Sequence, residues 1–429
     1  MASHFIKNSG TLLTGNIIAQ GIAFVTYTLL LRLFTPDDFG LCNVFFSYTE
    51  VLIILSTCKY EMAIVVADTD REASDLARLS FRINALLSLL LVAVAATMAL
   101  TGLTVSKLPP ALLLLIPLLV YFTGTYRVYA FLCNRHKDYN PLATGEVVSV
   151  GASTTTRILF GLLAPVVNLL HTIGLPLGSV LGKVGGHLYL HHIVYHKQGY
   201  YQPTPTPLRP LARKYINFAR YVMPRELVSS FSSNLPLMWL SIHFDKPLLG
   251  LFSLALTFTQ RPVGVLANTF EKVLYQNITA KVQQQLPIQR DVNRFVLLLG
   301  GAVIIGGPII FFYAEPLFVW LFGNQWVGTG YYVQCLLPWM SLLVVGNSLS
   351  FISNIFGTQH VDFIIQVVQL LLRAAALYIG ISKGDFQLAI LLFAAVSAAI
   401  QVVSLGWYLF QIHRYGKRLS PDQHNAPHQ

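Results

Sequence analysis

Seven basic residues stand inside stretches that otherwise read as hydrocarbon: Arg127, Arg157, Lys183, Arg220, Arg225, Arg261 and Arg373. They outnumber the acids Glu50, Glu146 and Glu226 found in the same surroundings. A charge at the centre of a bilayer costs at least ~2.5–3.5 kcal/mol, so such groups face protein or water rather than lipid. Arginine presents a planar fork of donors matched to phosphate oxygens, and lysine a compact point charge. The chemistry on offer is therefore recognition of an anion at membrane depth. Spacing says where these groups look. Asp362, Gln366, Gln369 and Arg373 recur at helical intervals, one stripe of a single helix, and Glu146, Ser149, Ser153 and Arg157 repeat the pattern. Ser253, Thr257, Gln260, Gly264 and Asn268 form a third stripe with Arg261 at its edge, and Asn43, Ser47 and Glu50 a shorter fourth. Polar stripes from both halves of the chain predict a shared, wet, cationic cavity. Its candidate ligand groups are Arg157, Lys183, Arg261 and Arg373 at depth, then Arg127 and Arg225. Glu50, Glu146 and Asp362 are candidates for binding a proton or cation in turn with a cargo, and pairing with arginine is the alternative for each. Arg127, Arg220 and Arg225 lie within a few turns of a span end and can equally snorkel to the surface. Arg225 beside Glu226 can be a structural pair. For Lys183, in GSVLGKVGGH, close helix packing through the glycines is the competing reading.

The elements that must position these residues follow from composition. The 429 residues are 54% hydrophobic and 11% charged, which excludes a soluble protein, since soluble domains carry about 25% charged residues. A spanning helix needs about 20 mostly apolar residues. That length predicts spans over approximately 11–31, 39–58, 82–105, 111–133, 142–164 and 174–195, then 215–244, 248–270, 292–313, 330–355, 361–381 and 386–413. The fold expected is an all-α polytopic membrane protein of about twelve transmembrane helices, in two six-helix lobes around a central cationic cavity. The lobes are residues 1–195 and 215–413, joined by a connector over 196–214 and followed by a tail over 414–429. Phe39-Gly40-Leu41 and Leu249-Gly250-Leu251 open corresponding spans of the two halves. The connector HKQGYYQPTPTPLRPLARK holds four prolines, four Lys/Arg and no carboxylate. Its prolines argue against a helix, and its charge for a position on the membrane surface. The overlong seventh span is expected to begin with an interfacial turn before Pro224.

Orientation follows from Lys and Arg. Eighteen fall in the N-terminus, even-numbered loops and C-terminus, and four in odd-numbered loops. This bias predicts cytoplasmic termini and a cytoplasmic connector. It also explains the net charge of +11 through loops facing anionic lipid, without a nucleic-acid partner. Trp320, Trp326, Tyr331 and Tyr332 are expected at the outer interface. The first apolar segment is longer than a secretory signal and stays as a span. Cys42, Cys58, Cys133 and Cys335 lack metal-ligand spacing and read as small core residues. His187, His191, His192 and His196 form i, i+4 pairs without an accompanying carboxylate, so an interfacial helix end is expected and no metal. Gly300-Gly301 and Gly306-Gly307-Pro308 lack the Lys-Ser/Thr of a phosphate loop and read as packing and kink residues. No cofactor is expected.

Several segments resemble the bacterial O-antigen and capsular polysaccharide flippases of the multidrug/oligosaccharidyl-lipid/polysaccharide exporter superfamily. They are Arg32–Gly40 (RLFTPDDFG), Lys59–Ile64 (KYEMAI), Leu321–Trp326 (LFGNQW) and Leu337-Pro338-Trp339. The resemblance implies two six-helix lobes around a central cavity that alternates between inward-open and outward-open states. It implies an undecaprenyl-diphosphate-linked oligosaccharide as substrate, with membrane lipids and polysaccharide polymerase machinery as partners. Such a transporter is not an enzyme. Three rivals are weighed against it. A drug/cation antiporter of the same superfamily calls for a net acidic cavity, whereas Asn16 and Gln20 are the polar groups of span one and the intramembrane balance is positive. A polytopic polymerase or acyltransferase calls for a large outer loop, and these loops are short. A lipid II flippase shares the cationic cavity, and the motif around Pro36 favours the polysaccharide branch.

Overall fold

The computed structural model describes residues 25–102, 107–197, 200–204 and 207–419. Most of the first expected span, with Asn16 and Gln20, and the end of the tail lie outside the described residues. In chain order the helices are α1 (25–33), α2 (Pro36–Leu55), α3 (Tyr60–Val66), α4 (Asp70–Thr101), α5 (Pro110–Arg135), α6 (Tyr139–Leu163), α7 (Leu169–His196) and α8 (Leu208–Lys214). A π-helical turn, Phe218–Val222, leads into α9 (Met223–His243), α10 (Lys246–Gln283), α11 (Gln289–Phe322) and α12 (Thr329–Leu349). Then come the short α13 (Ile352–Ile355), α14 (Gln359–Ser382) and α15 (Phe386–Leu419). By length and composition seven of these helices, α2, α4, α5, α11, α12, α14 and α15, can cross a membrane. The long helices α6, α7, α9 and α10 are not in that set. The chain is an all-α, multi-pass membrane protein.

It divides into two compact units. The first runs to Pro224 and takes in Trp320–Gln325; the second runs from Arg225 to Val319 and resumes at Trp326. Local chemistry sets the element ends. Thr35 and Asp38 cap each other's backbone N–H at the start of α2, with Thr35 N to Asp38 Oδ2 at 2.8 Å, and Pro36 occupies the first helical position. Cys58 and Lys59 take positive φ values of 48° and 62°, which turns the chain tightly from α2 into α3. Arg135 then donates Nη1 to the carbonyls of Ile64 and Ala67, both at 2.8 Å, closing the open end of α3. Arg32 reaches the Leu321 carbonyl at 3.1 Å, and Gln325 Nε2 reaches the Leu31 carbonyl at 2.7 Å, which is why Trp320–Gln325 counts with the first unit. In the second unit Glu315 accepts from the backbone N–H of Gly328 and Gly330, both at 2.6 Å, and so caps α12.

Four expectations are corrected. Residues Leu208–Lys214 of the connector are helical despite Pro210. The ring sits in the first turn, where no backbone N–H is needed. Two of the connector's four basic residues pair with acids of the protein. Lys197 pairs with Asp138, and Lys214 bonds Asp68 at 2.6 Å and Glu72 at 2.5 Å, all acids of the first unit. Helix α4 begins at Asp70, well before Arg82, because Thr69 accepts from Glu72 N at 3.2 Å and nucleates it early. Trp326 and Tyr332 are buried at 0% and 3% exposure, so of the four aromatics only Trp320 and Tyr331 are exposed. The seventh span does open on an irregular turn: the π-helical stretch ends just before Pro224.

Candidate functional site

The first unit holds a cavity of about 400 Å³ walled by α2, α5, α6 and α7. Helices α6 and α7 approach closely through a row of small residues. A Cβ on Gly178 would come within 2.4 Å of Arg157 Cγ, and one on Gly182 within 2.6 Å of the Ser149 carbonyl. That seam lets cations from neighbouring helices share one space. Arg127 (α5), Arg157 (α6) and Lys183 (α7) line it, with Glu50 from α2. Arg157 is held in place: Nε donates to the Leu175 carbonyl at 3.1 Å, Nη2 donates to Ser179 Oγ, and the guanidinium lies 5.7 Å from the Phe46 ring centre. Lys183 Nζ stands 3.9 Å from Glu146 and 4.7 Å from the Tyr126 ring centre, and Tyr126 donates to the same carboxylate at 2.9 Å. A half-exposed pair at that distance contributes little, so the ammonium stays available to a ligand. Hydroxyls of Thr49, Thr123, Ser149, Ser153 and Thr154 complete the lining. The lining thus carries three cations and the Glu50 carboxylate among neutral donors, with Glu146 behind Lys183, a balance suited to an anion.

The second unit has its own cavity, about 510 Å³, walled by α9, α10, α12, α14 and α15. The whole stripe Asp362, Gln366, Gln369 and Arg373 faces it, with Arg225 and Glu226 at the start of α9. Arg373 belongs to its wall rather than to its open space. It is 3% exposed, donates Nε to Ser397 Oγ at 2.8 Å and Nη1 to Ser232 Oγ at 3.0 Å, and lies between the rings of Trp339 and Phe393 at 4.8 and 4.9 Å. Such a cation is stabilised by two π faces and neutral acceptors. By contrast Asp362 Oδ1, Gln366 Oε1 and Trp339 Nε1 are buried without a hydrogen-bond partner.

The structure thus brings together Arg127, Arg157, Lys183 and Glu50 in one unit, and Arg225, Asp362 and Arg373 in the other. Arg261 is exposed on α10 and lines neither cavity, and Glu146 meets the first only through Lys183. On α10 only Gln260 of the expected stripe reaches the cavity: Ser253 and Thr257 donate back to the carbonyls of Gly250 and Ser253 at 2.9 and 2.8 Å, and Asn268 lies outside the described side chains. Asn43 and Ser47 likewise bond their own helix. Residues that sequence reasoning passed over include Thr49, Thr123, Ser179, Trp339, Gln401 and Tyr408. Gln401, Ser404 and Tyr408 recur at helical spacing on α15, a signal that was present but sparse in an apolar span. Of the helix-end histidines, His187 Nδ1 lies 2.9 Å from Thr125 Oγ1 and His191 Nδ1 2.8 Å from Tyr129 Oη.

Comparison with solved structures finds the same fold in transporters. An inward-facing multidrug resistance MATE family transporter of the MOP superfamily matches with a TM-score of 0.69 at 13% identity, over 92% of this chain and 95% of that one. Lipid II flippase MurJ, in an inward closed conformation, matches with 0.67 at 13% identity, over 96% and 94%. A MOP superfamily transporter from Pyrococcus furiosus, described as having a binding pocket of reverse polarity, matches with 0.54 at 14% identity, over 93% of each chain. No curated protein matches. The family model described as "Polysaccharide biosynthesis protein" matches residues 5–275, more than half the chain. The chain belongs to that polysaccharide biosynthesis protein family and shares its fold with the solved transporters above.

Proposed function

We propose that this protein is a flippase that moves an undecaprenyl-diphosphate-linked oligosaccharide across the bacterial cytoplasmic membrane by alternating access, for assembly of O-antigen, capsule or exopolysaccharide. The observation that carries this reading is the first unit's cavity, where Arg127, Arg157 and Lys183 converge from three helices opposite a single lining carboxylate. Opposite unit charges about 4 Å apart attract by about 4 kcal/mol at an effective dielectric of 20. A diphosphate meeting several cations therefore offsets the ~2.5–3.5 kcal/mol that each cation costs at mid-depth. The isoprenoid chain stays in lipid while the head group enters water-lined space. Membership of the polysaccharide biosynthesis family supports the cargo class. Glu50 and Asp362, each lining a cavity, remain the groups we assign to coupling with a proton or cation.

The test is translocation of a fluorescent polyprenyl-diphosphate oligosaccharide in proteoliposomes. Arg157→Ala and Lys183→Ala are expected to slow transfer by at least about tenfold, a loss of about 1.4 kcal/mol or more, with unchanged insertion. Arg157→Lys keeps the charge without the fork and is expected to fall between. Unchanged transfer by both alanine variants overturns the reading, and retained transport of a cationic dye in place of the lipid favours a drug antiporter.

A further inference from the structure

The second unit's cavity differs in kind from the first. Its charged lining balances: Arg225 and Arg373 against Glu226 and Asp362. An anion entering it meets two carboxylates, an organic cation meets Arg225 with Arg373 buried in the wall behind, and among the described residues the aliphatic lining is Leu343 and Ile365. What the walls supply in quantity is amide. Gln260, Gln359, Gln366, Gln369 and Gln401 come from three helices. Each amide offers two donors and a carbonyl acceptor without net charge, the complement of a sugar hydroxyl, which both donates and accepts. Serine hydroxyls at 229, 233, 350 and 404 also line it; those of 233, 350 and 404 already donate to the Ser229 carbonyl, Glu271 Oε1 and the Ile400 carbonyl, and keep lone pairs that can accept.

A second observation points to a ligand. Trp339, 4% exposed, has its indole N–H unpartnered, and Asp362 Oδ1 and Gln366 Oε1 are buried acceptors left open in the same lining. An unmet buried polar group costs about 1–3 kcal/mol. One donor and two acceptors left open beside one polar cavity are groups that a bound polyol can partner after small rotamer shifts.

We propose that the second unit's cavity is a binding site for uncharged carbohydrate, the sugar class carried by the cargo proposed above. The proposal rests on the flippase reading for its physiological ligand, but the site is testable without it. The first cavity selects for the lipid diphosphate common to many cargoes, and the second for the sugars that distinguish them. Specificity between repeat units therefore resides in the amide-lined site. Removing an amide that pairs with a given hydroxyl weakens the matching sugar strongly.

The experiment uses the full chain in detergent and two probes: a panel of uncharged methyl glycosides (common hexosides and N-acetylhexosaminides), and farnesyl diphosphate. Saturation-transfer NMR is expected to show at least one glycoside binding saturably, with Kd of about 1 mM or weaker as suits a fragment. Gln366→Leu and Gln369→Leu are expected to weaken that binding by about tenfold. Farnesyl diphosphate binding in the same variants stays within about twofold, which also reports that they are folded. Arg157→Ala shows the reverse pattern. Absence of saturable binding by every glycoside, or binding that neither glutamine variant changes, overturns the carbohydrate site. Glycoside binding with no farnesyl diphosphate binding keeps this site and overturns the diphosphate reading instead.

Discussion

Arg373 and Arg157 are both guanidiniums at membrane depth, yet their surroundings assign them different work. Arg157 lines open space in the first unit beside Lys183, while bonding the Leu175 carbonyl and Ser179. Arg373 is buried between Trp339 and Phe393 with Ser232 and Ser397 as acceptors, and among the described residues no carboxylate pairs with it. A buried cation whose interactions are all made by the protein stabilises through them, and truncating it opens a cavity while stranding two hydroxyls. Arg373→Ala is therefore expected to cost about 2–4 kcal/mol of stability. The check is the midpoint of thermal unfolding in detergent: Arg373→Ala lowers it clearly, and Arg157→Ala leaves it nearly in place. If the two variants unfold at the same temperature, Arg373 is not a wall residue. Residue type and spacing revealed that these charges were unusual, but not which of them lines open space and which is buried in a wall.

At the scale of the element, the seam between α6 and α7 and the strapped connector each carry a prediction. Gly182 has no room for a side chain, since a Cβ there would sit 2.5 Å from Ser153 Cβ, whereas at Gly185 the nearest atom would be 3.5 Å away. Gly182→Ala is expected to push α7 from α6, displace Lys183 and lower diphosphate binding by about tenfold. Gly185→Ala is the neutral comparison, and equal effects of the two refute the seam. The connector is tied down by Thr204, whose N–H and hydroxyl donate to Asp75 at 2.9 and 2.5 Å, by Gln202 N to Ser74 at 2.9 Å, and by Tyr60 to the Ala212 carbonyl at 3.1 Å. Hydrogen bonds from Lys197 and Tyr200 hold the Asp138 carboxyl below the usual carboxylate range, and the bond to Asp138 raises Lys197. A depressed acid stabilises above its unfolded value of about 3.9 and that stability is lost as pH falls through the folded value; a raised lysine stabilises below about 10.4 and loses it on further rise. The strap is therefore closed across the neutral range. Hydrogen exchange over residues 200–204 should be slow from pH 5 to 9 (roughly, by those two limits) once corrected for intrinsic rates. It should speed up by about tenfold in Asp75→Ala; no change in that variant means the strap is not held there. Helical stripes made α6 and α14 legible in advance because Ser149, Ser153 and Arg157 on one, and Asp362, Gln366, Gln369 and Arg373 on the other, do line one cavity each. The stripe on α10 misled because serine and threonine satisfied themselves on their own helix, and the strap was invisible because its acids, Asp68, Glu72, Asp75 and Asp138, lie far from it in sequence.

For the whole molecule the charge pattern of the loops is the governing quantity. Eighteen Lys/Arg against four between alternate loop sets bias insertion during synthesis, since basic loops resist translocation. Each unit supplies its own internal check. In the first, Lys107 and Lys137 flank opposite ends of α5; in the second, Lys383 and Arg414 lie toward opposite ends of α15, and all four are exposed. On the expectation of about twelve spans with both termini cytoplasmic, Lys107 and Lys383 share the outer side, and Lys137 and Arg414 the inner. Introducing cysteine at each position, after replacing Cys42, Cys58, Cys133 and Cys335 with alanine or serine, makes this measurable with an impermeant maleimide on intact cells. Cysteine at 107 and 383 should label from outside, and cysteine at 137 and 414 only after permeabilisation. Inverted labelling at all four would reverse the orientation and leave the fold intact. Labelling of 107 and 383 from opposite sides would be more damaging, because it requires an odd number of crossings between them. That outcome would break the expected correspondence between the two halves. The connector is a sharper instance of the same rule: paired with acids as Lys197 and Lys214 are, it offers Arg209 and Arg213 as its unshielded charges, both exposed on α8. Replacing Arg209 and Arg213 with glutamine should therefore leave the topology unchanged, since many other basic residues on the same side still vote for it.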